Sequence, residues 1–208
     1  LWRHLPRRRP CGATQEPMTA TSGMPFALGA LAVRLQAEFN KPVLAHLGFG
    51  IAGNFNIAQR ANDLVGMPLL ALQEALWPRL YAQDDPAQRL RRTGALLVAL
   101  SLASGAMLWI AAPYLSALLG PDFSASTAIM RALAWLPTLQ VVRNLLNFRI
   151  IHHGATRLLA WSYALGSAIS VGGAAWLIPT QGASGAVAVC YAAELAMIAI
   201  ACTAPMLW

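Results

Sequence analysis

The feature that most constrains this chain is the length of its charge-free stretches. Nothing that ionises at neutral pH occurs from Thr93 to Pro121, from Leu158 to Ala193, or from Leu195 to Trp208 apart from the chain terminus. A helix needs about 20 apolar residues to cross the hydrocarbon core of a bilayer, and in water such a helix would have no face to offer solvent. Composition agrees: 57% of the 208 residues are hydrophobic and only 11% are charged, against about 45–50% and about 25% in an ordinary soluble domain. These values exclude a disordered chain, a coiled coil and a water-soluble domain. They leave an all-α fold, a polytopic membrane helical bundle.

The charge-free stretches and their punctuation predict six transmembrane helices. Spans are expected near 24–49, 55–81, 94–119, 126–151, 158–178 and 183–206. The segment Ile178-Pro179-Thr180-Gln181-Gly182 divides the long apolar run, because proline lacks a donor and glycine permits a turn. Residues 1–23 carry Arg3, Arg7, Arg8 and Arg9 with three prolines, and form a basic cytoplasmic segment ahead of the 24–208 bundle. A secretory signal is a poor reading of this region, since Arg34, Glu38 and Lys41 interrupt the apolar run that follows. A chain that opens on Leu1 is expected to be a fragment or a trimmed product.

The arginines orient the set. One group of connections receives Arg3, Arg7, Arg8, Arg9, Arg79, Arg89, Arg91, Arg92, Arg149 and Arg157, ten of the fifteen basic residues. The opposite connections, 50–54, 120–125 and 179–182, receive none. This is the positive-inside pattern, and it places both termini in the cytoplasm with an even number of spans. The net charge of +7 therefore reads as membrane topology and implies no nucleic-acid partner. Trp77, Trp109, Tyr114, Trp135 and Trp208 fall toward span ends, as an interfacial belt requires.

Charges inside spans carry the functional signal, because each costs about 2.5–3.5 kcal/mol on insertion scales. Arg34, Glu38 and Lys41 are spaced i, i+4, i+7, which puts them on one helical stripe. In the second span Asn56, Arg60, Asp63, Met67, Leu70 and Glu74 share a face, and in the fourth Gln140, Arg143 and Asn147 do so. The functional reading is a hydrated cavity lined by these stripes; the structural alternative is a set of interhelical ion pairs that hold the bundle together. Four cations (Arg34, Lys41, Arg60, Arg143) against three anions (Glu38, Asp63, Glu74) leave the stripes with one net positive charge. Glu194 is the only charge in the sixth span. It is a candidate for ion or proton coupling, or else a carboxyl bonded to a partner that sequence does not reveal.

Other chemistries find no support. There is no GxSxG, HExxH, P-loop or GxGxxG in context, so neither catalytic residues nor an enzyme are expected. Cys11, Cys190 and Cys202 lack metal-ligand spacing, and Cys190 and Cys202 lie too far apart on one helix to bridge. His152-His153 reads as part of a solvated loop, since adjacent helical side chains point apart. No metal and no cofactor are expected. Gly172-Gly173 and Gly182–Gly185 mark either close helix contacts or a turn.

Several segments resemble a known family. Ala112-Pro113-Tyr114-Leu115-Ser116-Ala117-Leu118-Leu119-Gly120-Pro121-Asp122-Phe123 is similar to a span end in the polysaccharide biosynthesis, or O-antigen flippase, family. Leu177-Ile178-Pro179-Thr180-Gln181-Gly182-Ala183-Ser184-Gly185-Ala186 resembles that family's "LIP-x-x-G-x-x-G-A" hairpin, with Glu194 at its later acidic position. Gly53 to Arg60, Trp77-Pro78-Arg79 and Arg89-Leu90-Arg91-Arg92 are similar to further segments, in family order over about residues 24–208. The family belongs to the multidrug/oligosaccharidyl-lipid/polysaccharide exporter superfamily, whose members resemble two six-helix bundles around a central cavity.

The resemblance implies the C-terminal half of a twelve-span transporter, in the bacterial cytoplasmic (inner) membrane. An N-terminal six-span bundle or a second copy would complete it. It also implies translocation of an oligosaccharide linked to undecaprenyl diphosphate, used in polysaccharide or O-antigen synthesis, with membrane lipid as the other partner. Arg34, Lys41, Arg60 and Arg143 would then meet the headgroup, Glu38, Asp63 and Glu74 would tune the charge, and Glu194 would couple a cation or proton. The alternatives are half of a cation-coupled multidrug or small-solute antiporter, and a non-functional fragment of a flippase.

Overall fold

Glycine and proline set the boundaries of the helices. In the computed structural model, residues 31, 35, 38–81, 86–152 and 156–203 are described, and among them there is no strand. Helix α1, Asn40–Leu47, stops at Gly48, whose φ of 154° suits a residue without a side chain. Helix α2, Phe49–Tyr81, and helix α3, Pro86–Leu119, follow. Pro86 opens α3, at a position where a missing N–H costs nothing. Gly120 then turns the chain, through a 3-10 turn at Pro121–Phe123, into α4, Ser126–Leu133. Helix α5 spans Leu136–His152, α6 spans Thr156–Gln181 and α7 spans Ala183–Thr203.

Three helical segments, Arg91–Leu119, Leu158–Gln181 and Ala183–Thr203, are long and apolar enough to cross a membrane. They match the third, fifth and sixth expected spans. The second expected span, 55–81, lies within α2, but other expectations need correction. The connection expected at 50–54 is helical, and the turn lies at Gly48. The expected span 126–151 is two helices, broken at Ala134–Trp135. Pro137 explains this break, because it lacks an N–H and its ring would clash with the carbonyl of Leu133 four residues back. Helix α6 tolerates Pro179 and runs to Gln181, so the break expected over 178–182 reduces to Gly182, whose N–H reaches the Ile178 carbonyl at 2.7 Å. Of the first expected span, 24–30, 32–34 and 36–37 lie outside the described residues, as do residues 1–23.

The main core joins α1, α2, α4, α6 and α7 through Leu44, Phe55, Met130, Leu133, Ile178 and Ala186. Asn54 of α2 donates to the carbonyls of Gly50 at 2.9 Å and Asp122 at 3.3 Å, which ties the start of α2 to the turn before α4. Ser116 and Thr127 share a hydrogen bond across the same turn. Pro113 inside α3 leaves the Trp109 carbonyl without its usual helical donor. The Nε of Arg131 approaches that carbonyl at 3.4 Å, and its guanidinium lies 4.6 Å from the centre of the Trp109 ring. α6 and α7 pack as a hairpin on one side of the bundle. α5 lies between α3 and α7 and contacts α2.

Candidate functional site

Polar side chains from α2 and α5 converge on two cavities. Phe55, Gln59, Asn62 and Asp63 of α2, Leu133 of α4, Leu136, Gln140 and Arg143 of α5, and Cys190 and Glu194 of α7 line the first, of about 100 Å³. That is room for several waters. The break between α4 and α5 lies on its wall, since Leu133 and Leu136 flank it.

At this wall Arg143 Nη1 donates to both carboxylate oxygens of Glu194, at 2.7 and 2.8 Å. Arg143 is 8% exposed and Glu194 is 3% exposed. Gln140, one turn before Arg143, lines the same cavity. A buried charge is tolerable only when paired and hydrogen-bonded, and the α5 and α7 residues meet that condition for each other. Arg143 Nε is nevertheless buried without a partner, as is Asn62 Oδ1. Two residues of the lining thus each keep one buried polar atom without a partner, a donor on Arg143 and an acceptor on Asn62. Asn40 of α1 donates its Nδ2 to Cys190 Sγ at 3.3 Å, closing the cavity's neighbourhood on the α1 side.

The second cavity, of about 410 Å³, lies between α2, α5 and α6. Gln73, Glu74, Trp77, Asn144, Asn147 and Tyr163 are among its lining residues. Asn144 Nδ2 donates to Gln73 Oε1 at 3.0 Å, and Asn147 Nδ2 to the Tyr163 hydroxyl at 3.2 Å. Trp77 stacks on Phe148 with ring centres 4.6 Å apart. Arg143 of the first cavity and Asn147 of the second are one helical turn apart, about 6 Å along α5.

The expected site residues divide among four places. Arg143, Asp63 and Glu194 border the first cavity. Glu74 borders the second, which no arginine or lysine lines among the described residues. Arg60 is exposed on the outer face of α2, together with Asp63, Met67, Leu70 and Glu74, so the expected α2 stripe is an exposed face from Arg60 onward, with Asn56 half-buried at its start. Glu38 and Lys41 pair with each other at 2.6 Å, with Glu38 exposed, and neither lines either cavity. Arg34 lies outside the described residues.

Among the described residues the first cavity's ionisable lining is two acids and one arginine, whereas the stripes taken together carry more cations than anions. Sequence reasoning did not single out Gln73, Asn144 or Tyr163. The signal was present as amides recurring at helical spacing in an apolar setting: Asn62 and Gln73 in α2, and Asn144 and Asn147 in α5. The chain matches no protein-family model, no curated protein and no solved structure.

Proposed function

We propose that this chain is one bundle of a membrane translocator. Its cargo is an oligosaccharide linked to a lipid of the undecaprenyl diphosphate type, moved from the inner to the outer leaflet of a bacterial cytoplasmic membrane. The observation that carries this reading is the buried Arg143–Glu194 pair on the wall of a polar cavity, inside a bundle with three helices apolar enough to cross a membrane. Ionisable groups at membrane depth face partners or water and mark substrate or ion paths. Arg143 holds Glu194 through Nη1 alone and keeps its Nε unpartnered, so a diphosphate can compete with the carboxylate for the planar guanidinium fork. The open polar face of α2, with Arg60 on it, is where a second six-helix bundle or a second copy would supply the opposite wall. Both termini are taken as cytoplasmic because the basic residues gather on one set of connections.

Export in a flippase-deficient host, with a matching N-terminal bundle co-expressed, tests the reading. Arg143→Ala is expected to lower surface glycan at least tenfold and to raise the lipid-linked precursor inside the cell. Arg143→Lys, which keeps the charge and loses the fork, should lower export several-fold at normal protein level. Arg131→Ala, which removes only the contact with Trp109, should leave it nearly unchanged. Full export by Arg143→Ala contradicts the reading.

One observation favours a second reading, half of a cation-coupled antiporter: Asp63 and Glu194 outnumber Arg143 at the first cavity. Cation-driven efflux of a lipophilic cationic dye, lost in Asp63→Asn and Glu194→Gln together with unchanged glycan export, would select it.

A further inference from the structure

The second cavity differs in chemistry from the first. Among the described residues Glu74 is the one charged residue that lines it, and two of its amides, Gln73 and Asn147, are only half satisfied. Gln73 is 2% exposed and Asn147 is 5% exposed. Gln73 gives its oxygen to Asn144 and keeps Nε2 without a partner; Asn147 gives its Nδ2 to Tyr163 and keeps Oδ1 without one. A buried donor and a buried acceptor are thus left open on residues lining one cavity, each at the desolvation cost of an unmade hydrogen bond. Trp77 has one ring face on Phe148 and lines the same space.

We propose that this cavity binds a neutral ring bearing hydroxyl groups, a sugar, and disfavours phosphate. A hydroxyl both donates and accepts, so one sugar can satisfy the Gln73 donor and the Asn147 acceptor together. The apolar C–H face of a pyranose suits the flat Trp77 surface, and the Glu74 carboxylate accepts from hydroxyls while repelling a phosphate. The volume of about 410 Å³ lies in the range of small-molecule sites, about 300–1,000 Å³. The inference extends the translocator reading by assigning the sugar to a different place from the diphosphate, and it rests on that reading only for the lipid-linked form of the ligand.

The test is saturation-transfer NMR on the full chain in phospholipid nanodiscs, prepared without sugar-based detergent. The probe is a mixture of glucose, galactose, mannose, rhamnose, N-acetylglucosamine and N-acetylgalactosamine. At least one sugar is expected to receive saturation, and its apparent affinity should fall about five- to tenfold in Gln73→Leu and in Asn147→Leu. Glu74→Gln, on an exposed position, should lower it several-fold, and it carries the test if the buried variants fail to fold by circular dichroism. Inorganic pyrophosphate at equal concentration should not displace the sugar. No saturation of any sugar, affinity unchanged in Glu74→Gln and in each folded variant, or displacement by pyrophosphate would each overturn the proposal. Binding is read at equilibrium, so sugar binding without export would count against translocation alone, and export without sugar binding would count against this site alone.

Discussion

Helices α6 and α7 pack by opposite rules from helices α2 and α5. The α6–α7 hairpin is sealed by small residues. Gly173 sits against Val189, Gly166 against Met197, and Gly185 against the backbone carbonyl of Leu177. Between α2 and α5 an amide pair, Gln73–Asn144, sits beside the stacked Trp77 and Phe148 and the Leu69–Val141 contact, and the space next to them stays open. In lipid there is little hydrophobic gain from bringing two apolar helices together, so close association depends on small residues that let backbones approach. The comparison teaches that the α6–α7 contact depends on small residues, whereas the α2–α5 contact brings buried amides together. The first contact is closely packed, and the second carries unmet hydrogen bonds.

The largest expected effect breaks the polar side at its ion pair. Arg143→Ala or Glu194→Ala alone leaves a buried charge without its partner and should destabilise the chain by about 3–5 kcal/mol. The double variant Arg143→Leu with Glu194→Leu should recover most of that loss, since an apolar pair of similar size avoids the desolvation cost. Unfolding in mixed micelles titrated with a denaturing detergent measures all three. A double variant as unstable as the single ones would mean that the pair acts through contacts beyond its own charge.

A smaller effect tests the sealed side. A side chain at Gly185 would collide with the Leu177 carbonyl, which belongs to backbone and cannot rotate away. Gly185→Leu should therefore cost about 1–3 kcal/mol, the usual range for overpacking, in the same unfolding assay. Gly172 lies one residue from a close contact, yet a side chain there meets nothing, so Gly172→Leu should be close to neutral. Equal losses at the two positions would refute the packing distinction.

The smallest effect concerns Glu38 and Lys41. They are three residues apart and Glu38 is exposed, so Lys41→Ala should change stability by less than about 1 kcal/mol. A larger loss would tie this pair to the bundle more firmly than its geometry does.

Part of this arrangement was legible in sequence. The three apolar helices follow directly from the charge-free stretches, and the turn at Gly120–Pro121 from residues that cannot continue a helix. The α2 stripe was legible because helical periodicity fixes which residues share a face, whatever the neighbours. What a neighbour supplies was not legible. Glu194 reads as a solitary acid in its own helix, and its partner Arg143 lies 51 residues away on α5. Gln73 and Asn144 are 71 residues apart. The break at Ala134–Trp135 is encoded by Pro137, yet the uninterrupted apolar pattern on either side masks it. The connection expected at 50–54 failed for a related reason: Gly50 and Gly53 are permissive residues that α2 absorbs, and only Gly48 takes a backbone angle that ends a helix.

The account's central claim is that the polar face of α2 meets water and the exposed apolar faces of the other helices meet lipid. Single cysteines at Arg60, Met67 and Glu74 on α2, and at Leu102, Leu165 and Leu195 on α3, α6 and α7, compare the two directly, since all six positions are exposed. In a chain whose native cysteines are replaced by alanine, a membrane-impermeant thiol reagent is applied to open membrane sheets, so that both faces are reached. The account predicts rapid labelling at the three α2 positions, Met67 included despite its apolar side chain, and little at the other three. Labelling of Leu102, Leu165 and Leu195 at rates equal to those on α2, or none at Met67, would contradict it.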